Sequence, residues 1–401
     1  MTTTGSVPVV ARRPAPADTR FPLPALVVLA ATGFVLIGAE TMPAGLLPQI
    51  ADGLSTSEGT VGLLVSAYAL GTVVVTIPAI TLTRGIDRKP LLLAGVAGLL
   101  VANTITAFSD SVTLSLITRF LAGAFSGVLW GMLATYGRRI SPPASAGRSL
   151  AIVSTGAPVG IAFGTPLGSW LGTTFDWRWS FGGLSIITAV VFVLVVLLVP
   201  NVPGQAAEQR KPLGQVVRIP GVGMVLAVIA VWMLGHSTAY TYIAPFLRAA
   251  GPGVGVDLVL VVFGLASIAG IAVTGALLDR FPQLLLHGTV LVFTVAGVLL
   301  LVGNGSTLLV VVAVALWGIA FGGAPAQLQS ALTIAGGADA DVANSFLPVA
   351  FNIAIFGAGI LGAGVLAAGG GLAPMVVMVV LGLAALALTV VGRRTAFRPA
   401  S

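Results

Sequence analysis

The sequence predicts an all-α membrane protein: twelve transmembrane helices arranged as two pseudo-symmetric six-helix bundles. Three observations predict it. The 401-residue chain is 57% hydrophobic and only 8% charged, with a mean hydropathy of +1.08, whereas soluble domains carry about 25% charge. Twelve stretches reach the roughly 20 apolar residues that a span requires. Short patterns in the first half recur in the second.

Taken in order, residues 1–21 are polar and Pro-rich and read as a cytoplasmic tail. The apolar run from Leu23 to Leu47 is too long for a signal-peptide core, lacks a small-residue cleavage site and contains Glu40. It reads as a retained first span. The spans fall near 22–47, 59–80, 90–108, 112–136, 148–172 and 180–200, then 220–247, 256–278, 283–302, 306–332, 342–368 and 371–392. The first bundle is thus 22–200 and the second 220–394, joined by a cytoplasmic linker at 201–219, with a short tail at 395–401.

An even number of spans puts both termini on one side. With that side cytoplasmic, 16 of the 19 Lys and Arg residues face the cytoplasm, as the positive-inside rule requires. Arg119 lies within a span, and Arg178 and Arg248 lie outside. The net charge of +7 therefore reports orientation in a lipid bilayer, and no nucleic-acid partner is expected. Asp110, Asp176 and Asp257 fall in short outer loops and read as solvated.

The duplication rests on three matches in the same order. DRKPLLLAG at 87–95 recurs as DRFPQLLLHG at 279–288, GAETMPAGLLP at 38–48 as GHSTAYTYIAP at 235–245, and Trp130-Gly131 as Trp317-Gly318. In parallel repeats of this kind the binding site lies between the halves near the midplane.

Charged groups at that depth are rare and usually functional. Glu40 lies about 7 Å outward of the middle of the first span, and Arg119 about 7 Å outward of the middle of the fourth. The pair reads as a proton-coupling site, Glu40 exchanging the proton and Arg119 modulating it, as a static salt bridge, or as two groups that do not meet. Burial and a nearby guanidinium act on a carboxyl's proton affinity in opposite senses, so opening the site to either side would change it. His236 reads as a neutral hydrogen-bonded residue or a proton handler. Tyr240 shares a face with His236 and is a substrate-cavity candidate, while Tyr242 also fits an interfacial anchor. Gln327, Gln329 and Asn352 are amides that need partners at depth, whether neighbouring helices or substrate. Trp130 and Trp317 read as packing or cavity residues. Gly156, Gly160, Gly164 and Gly168 recur every fourth residue, and Pro158 and Pro166 loosen the same span. This spacing fits close helix packing or a rocking surface between the halves.

Enzyme signatures are absent: no phosphate-binding loop, no HExxH and no GxSxG occur. With no cysteine and two histidines, neither disulfides nor a metal or haem centre is expected.

These residues resemble the major facilitator superfamily, specifically its twelve-span drug:proton antiporter group. The loop motif between the second and third spans appears as TRGIDRKPLLL, with Arg84, Asp87, Arg88 and Lys89, and as GALLDR, with Gly275, Asp279 and Arg280. Arg84 stands where the family has aspartate, and Asp87 where it has glycine. Arg119 with Gly123 and Gly127 is similar to the fourth-span motif, and STGAPVGIAFGTPLG to the fifth-span antiporter motif. GAETMPAGLLPQIADGLSTS and GHSTAYTYIAPFL resemble bacterial sugar, purine-nucleoside and chloramphenicol-type exporters. The resemblance implies a multi-pass protein of the bacterial inner membrane that acts as a monomer. It would exchange protons for a small apolar or amphipathic substrate, driven by the proton motive force without a cofactor, with the loop motifs as cytoplasmic gates. A facilitator or a proton-linked importer of a sugar or nucleoside is the alternative.

Overall fold

A computed structural model describes residues 21–83, 85–204, 219–303 and 305–392. The tails, Arg84 and most of the predicted linker lie outside these residues. The described residues fold into twelve long apolar helices, numbered here in order. The first six are α1 (Leu23–Thr41), α2 (Glu58–Leu82), α3 (Arg88–Ala107), α4 (Val112–Arg139), α5 (Pro143–Thr174) and α6 (Trp177–Leu198). The second six are α7 (Pro220–Thr241), α8 (Val256–Leu277), α9 (Pro282–Val302), α10 (Thr307–Gly336), α11 (Ala340–Gly369) and α12 (Ala373–Val391). At 1.5 Å per residue, the 19 residues of α1 just cover the hydrocarbon core of about 30 Å. The chain is an all-α multi-pass membrane protein.

Residues 21 and 392 lie at one end of the bundle, called here the terminal end; the opposite end is distal. Four of the six helices that start distally are capped by short polar side chains. Ser57, Ser111 and Ser306 accept from Thr60, Leu114 and Leu309 backbone N–H groups, and Asp176 from Arg178. Each cap satisfies one of the orphan donors of a helix start. Asp176 and Asp110 are also more than solvated loop residues, because both pair with Arg178.

The first and seventh spans end earlier than the apolar runs suggest. After α1 a 3-10 turn at Met42–Gly45 leads into a short helix at Leu47–Gly53; after α7 comes Ile243–Ala250. Pro43, Pro48 and Pro245 lack the N–H that a continuing helix needs, so the chain breaks and lies across the distal end. Within α5, Gly160–Gly164 forms a π-helical segment between Pro158 and Pro166, where missing donors loosen the ladder.

Each half has its own apolar core. One contains Leu29, Tyr68, Tyr136 and Phe181; the other contains Trp232, Phe263, Phe293 and Trp317. Lipid tails offer no hydrophobic drive between helices, so close backbone approach must hold each half. A Cβ on Gly71 or Gly123 would overlap the Phe120 or Tyr68 carbonyl across the α2–α4 contact. A Cβ on Gly270 or Gly322 would overlap the Ile319 or Ser267 carbonyl across α8–α10. The two contacts are related by one offset of 199 residues (270 − 71 and 322 − 123). Gly38 against Leu184 and Gly235 against Leu381 share an offset of 197 (235 − 38 and 381 − 184). This packing corrects one sequence match. At offset 199 the counterpart of Trp130 is Gln329, and Trp317 is not equivalent to Trp130.

The glycines of α5 decide between the two readings of their spacing, in favour of close packing. Gly156 and Gly160 face the Ala30 and Phe34 carbonyls of α1, Gly164 the Phe34 ring, and Gly168 Met42. They seat α5 on α1 inside the first half. The contact with the second half uses the other face, where Ala162 and Ile161 meet Gly264 of α8.

The two halves meet at the distal end. Ser66 Oγ donates to Phe356 O at 2.7 Å, Gly45 lies against Leu260, and Glu58 pairs with Arg248. Toward the terminal end, α4 exposes Trp130, Gly131, Ala134, Thr135 and Arg138, and α10 exposes Ala326, Gln329 and Thr333. These residues are largely small or polar, unlike Val190, Val193 and Leu197 on the exposed face of α6, and suit water rather than lipid. At that same end the chain leaving α6 is fastened to the first half. Asn201 Nδ2 donates to Asp87 Oδ2, Arg88 N to Val202 O, Lys89 Nζ to Val196 O and Tyr136 Oη to Pro200 O.

Gly123→Ala is expected to destabilise the first half by about 1–3 kcal/mol through overpacking, read as a lower melting temperature in detergent. Gly182→Ala, where a Cβ meets nothing within 4 Å, is expected to melt like the parent. Equal melting of the two variants would remove the glycine approach from this account.

Candidate functional site

Glu40 occupies the last turn of α1 and is half-buried. Its neighbours on the helix, Leu36 and Thr41, are already engaged. Leu36 O accepts from Tyr68 Oη at 3.2 Å, and Thr41 Oγ1 lies 2.6 Å from Thr165 Oγ1 of α5. Thr41 gives its one hydroxyl hydrogen to Ile37 O at 2.8 Å, so Thr165 is the donor between the two hydroxyls. Glu40 itself makes no hydrogen bond or ion pair among the described residues. It is thus a carboxyl without a fixed partner, held on a turn that is fixed on both sides.

Arg119 is completely buried in α4. Its guanidinium carbon sits 4.5 Å from the centre of the Tyr68 ring and 5.9 Å from that of Phe181. Nε donates to Leu64 O at 3.4 Å, while both terminal nitrogens lack a hydrogen-bond partner. An unsatisfied buried charge is costly, and the aromatic faces offset only part of that. Glu40 and Arg119 are within electrostatic reach of each other. They do not form an ion pair in this state, which corrects the static salt-bridge reading. At offset 199 the counterpart of Arg119 is Gly318, so this charge has no copy in the second half.

There the same level is aromatic. His236 of α7 stacks on Phe321 at 4.0 Å between centroids and on Tyr240 at 5.7 Å, with Trp232, Phe263 and Trp317 around it. Trp317 Nε1 lies 3.0 Å from His236 Nδ1. An indole can only donate, so Nδ1 is bare and the imidazole is neutral with its hydrogen on Nε2. Trp317, His236 and Tyr240 are 1%, 4% and 7% exposed. In this state they are a closed cluster inside the second half and not an open cavity wall.

Gln327 is buried and donates through Nε2 to Thr274 Oγ1 at 2.9 Å, bridging α10 and α8, while its Oε1 has no partner. Asn352 Nδ2 donates to Pro348 O one turn back, at 2.9 Å, and its Oδ1 is likewise unpartnered. Trp130 is 36% exposed beside the water-suited face of α4. Of the loop-motif residues, Asp87, Arg88 and Lys89 hold the segment after α6, and Gly275, Asp279 and Arg280 are exposed around the α8–α9 turn. The structure thus brings Glu40, Arg119 and Tyr68 together in one half and His236, Tyr240 and Trp317 in the other, with Gln327 and Asn352 apart from both. Among the described residues no group of three His, Asp or Glu is placed to hold a metal ion.

Sequence reasoning missed Tyr68, Thr165 and Phe321, all buried or half-buried beside the predicted residues. A tyrosine four residues before the α2 threonine that packs on α4 was the available signal for Tyr68. It also left Glu58 and Arg248 apart. Each sits at the helix end its charge favours, so neither needed a partner to be explained.

Comparison with known proteins agrees with this geometry. A family profile described as "Major Facilitator Superfamily" matches residues 29–340. The chain is 26% identical over 361 residues to a "Probable sugar efflux transporter" of Mannheimia succiniciproducens, covering 90% of this chain and 88% of that protein. It is 28% identical over 301 residues to the "Purine ribonucleoside efflux pump NepI" of Salmonella paratyphi B, covering 74% and 76%. The crystal structure of a mutant of the nucleoside transporter NupG superposes with a TM-score of 0.73 at 12% identity, covering 93% of this chain and 99% of that one, which speaks to the fold. The family match and the efflux relatives make the chain a transporter and not an enzyme, and it belongs to the Major Facilitator Superfamily.

Proposed function

We propose that this chain is a proton-coupled exporter of a small amphipathic or apolar compound, working by alternating access of its two halves. The reading rests on Glu40, a half-buried carboxyl free of hydrogen bonds and ion pairs among the described residues, within electrostatic reach of a buried guanidinium with two open donors. Such a carboxyl can take up and lose a proton without dismantling other contacts. The negative form gains from Arg119 and loses by burial, so rocking of the halves alters the balance between them. Export is favoured by the efflux relatives, whose named substrates are sugars and purine ribonucleosides. The scarcity of fixed charge facing the halves suits neutral substrates. Arg88, Lys89, Arg138, Arg139, Arg148 and Arg280 sit toward the terminal end, which favours a cytoplasmic terminal end and, with it, an inward-facing reading of the described state. The bacterial inner membrane is then the site of action, with the proton motive force as drive and one chain as the working unit.

Glu40→Gln is expected to abolish export driven by a pH gradient in proteoliposomes while preserving substrate-for-substrate exchange. Undiminished gradient-driven flux in that variant would exclude Glu40 as the proton carrier. His236 serves in this reading as a neutral acceptor. His236→Asn, whose side-chain oxygen can still accept from Trp317, is expected to keep the pH profile of transport. A displaced profile would make His236 a participant in proton movement.

A further inference from the structure

Tyr242, which follows α7, belongs to the second half by sequence but is packed into the core of the first. It is fully buried. Its ring lies in a slot between α2 and α11, with Gly62 on one side and Gly362 on the other; a Cβ on either glycine would overlap the ring or its hydroxyl. Tyr242 Oη donates to Gly359 O of α11 at 2.8 Å and lies 3.5 Å from Gly59 O of α2. The interfacial-anchor reading of this tyrosine therefore does not hold. An anchor keeps its hydroxyl at the headgroups, whereas this one is spent inside the protein.

The surroundings suggest why a tyrosine is seated there. Just outside the slot a cavity of about 390 Å³ opens between α2 and α11, lined by Glu58, Leu63, Ala363 and Leu366 among others. Glu58 is bound by Arg248, six residues beyond Tyr242 on the short helix that carries both clear of α7. One turn deeper along the same seam, Ser66 donates to Phe356 O, and Val65 packs into the core of the second half. Ring, ion pair and hydrogen bond thus close one continuous seam, and the ring is the member that fills it.

We propose that Tyr242 is the distal gate of the transporter: its ring plugs the α2–α11 seam in the inward-facing state and must leave the Gly62–Gly362 slot for the distal side to open. The Glu58–Arg248 pair fastens the short helix that carries the plug. The assignment of the distal side to the cell exterior rests on the function proposed above; the plug itself does not.

The chain contains no cysteine, so single thiols report cleanly. Val65→Cys is placed behind the plug and exposed to a membrane-impermeant maleimide, in whole cells and separately in inside-out vesicles. Tyr242→Ala is expected to raise its labelling in cells by about tenfold or more, as a minor open state becomes populated. Tyr242→Phe, which keeps the ring but loses the bond to Gly359, is expected to fall between, and guards against a misfolded alanine variant. Gly62→Ala, which crowds the ring out of its slot, is expected to raise labelling with Tyr242 in place. Labelling unchanged in every variant from both sides would overturn the gate. Faster labelling in vesicles but not in cells would support the gate and overturn the orientation.

Discussion

What the architecture depends on is the contact of bare backbone with bare backbone where α2 crosses α4 and α8 crosses α10. In lipid, apolar side chains gain little by meeting one another, so packing distance carries the association. Gly71 and Gly123 in the first half, and Gly270 and Gly322 in the second, bring helices to carbonyl contact. That crossing also stations Tyr68 next to the α4 residue Arg119. The aromatic cluster of the second half forms beside the equivalent crossing, because Phe263 and Trp317 flank the same two helices.

The two halves share this frame and differ in what they hang on it. In the first half it holds a charge, Arg119, whose Gly318 counterpart has no side chain at all. In the second it holds a neutral histidine pinned by an indole. The division is economical in a membrane, where an ionised group needs a partner or a wet path. Only one half bears that burden, and the other supplies an apolar, polarisable surface. In the function proposed above, Glu40 would then exchange its proton without a competing base from His236.

Much of this was legible in the sequence. Spans announce themselves through length and apolarity, so the twelve helices and the duplication followed from composition and repeated strings. Glu40 and Arg119 stood out because charge is rare at that depth. Register was harder. Trp130-Gly131 and Trp317-Gly318 look alike as strings, yet only glycine-to-carbonyl packing fixes which residues are equivalent, and it sets Trp130 against Gln329. The direction of a face was also hidden. Gly156 to Gly168 form a row that suits any close neighbour, and nothing local says that α1, not α8, fills it. Tyr242 was invisible as a wedge because its slot is built by glycines about 180 residues before it and 120 after it in the chain, a distance that no window of periodicity spans.

The fastening of Pro200, Asn201 and Val202 beneath the α2–α3 turn has a mechanical corollary. The leash between the two halves is paid out from that turn and not from the end of α6, which shortens the length free to stretch. Looser leashes lower the local concentration of one partner around the other. Docking the first residues of the connection therefore raises the local concentration of one half around the other.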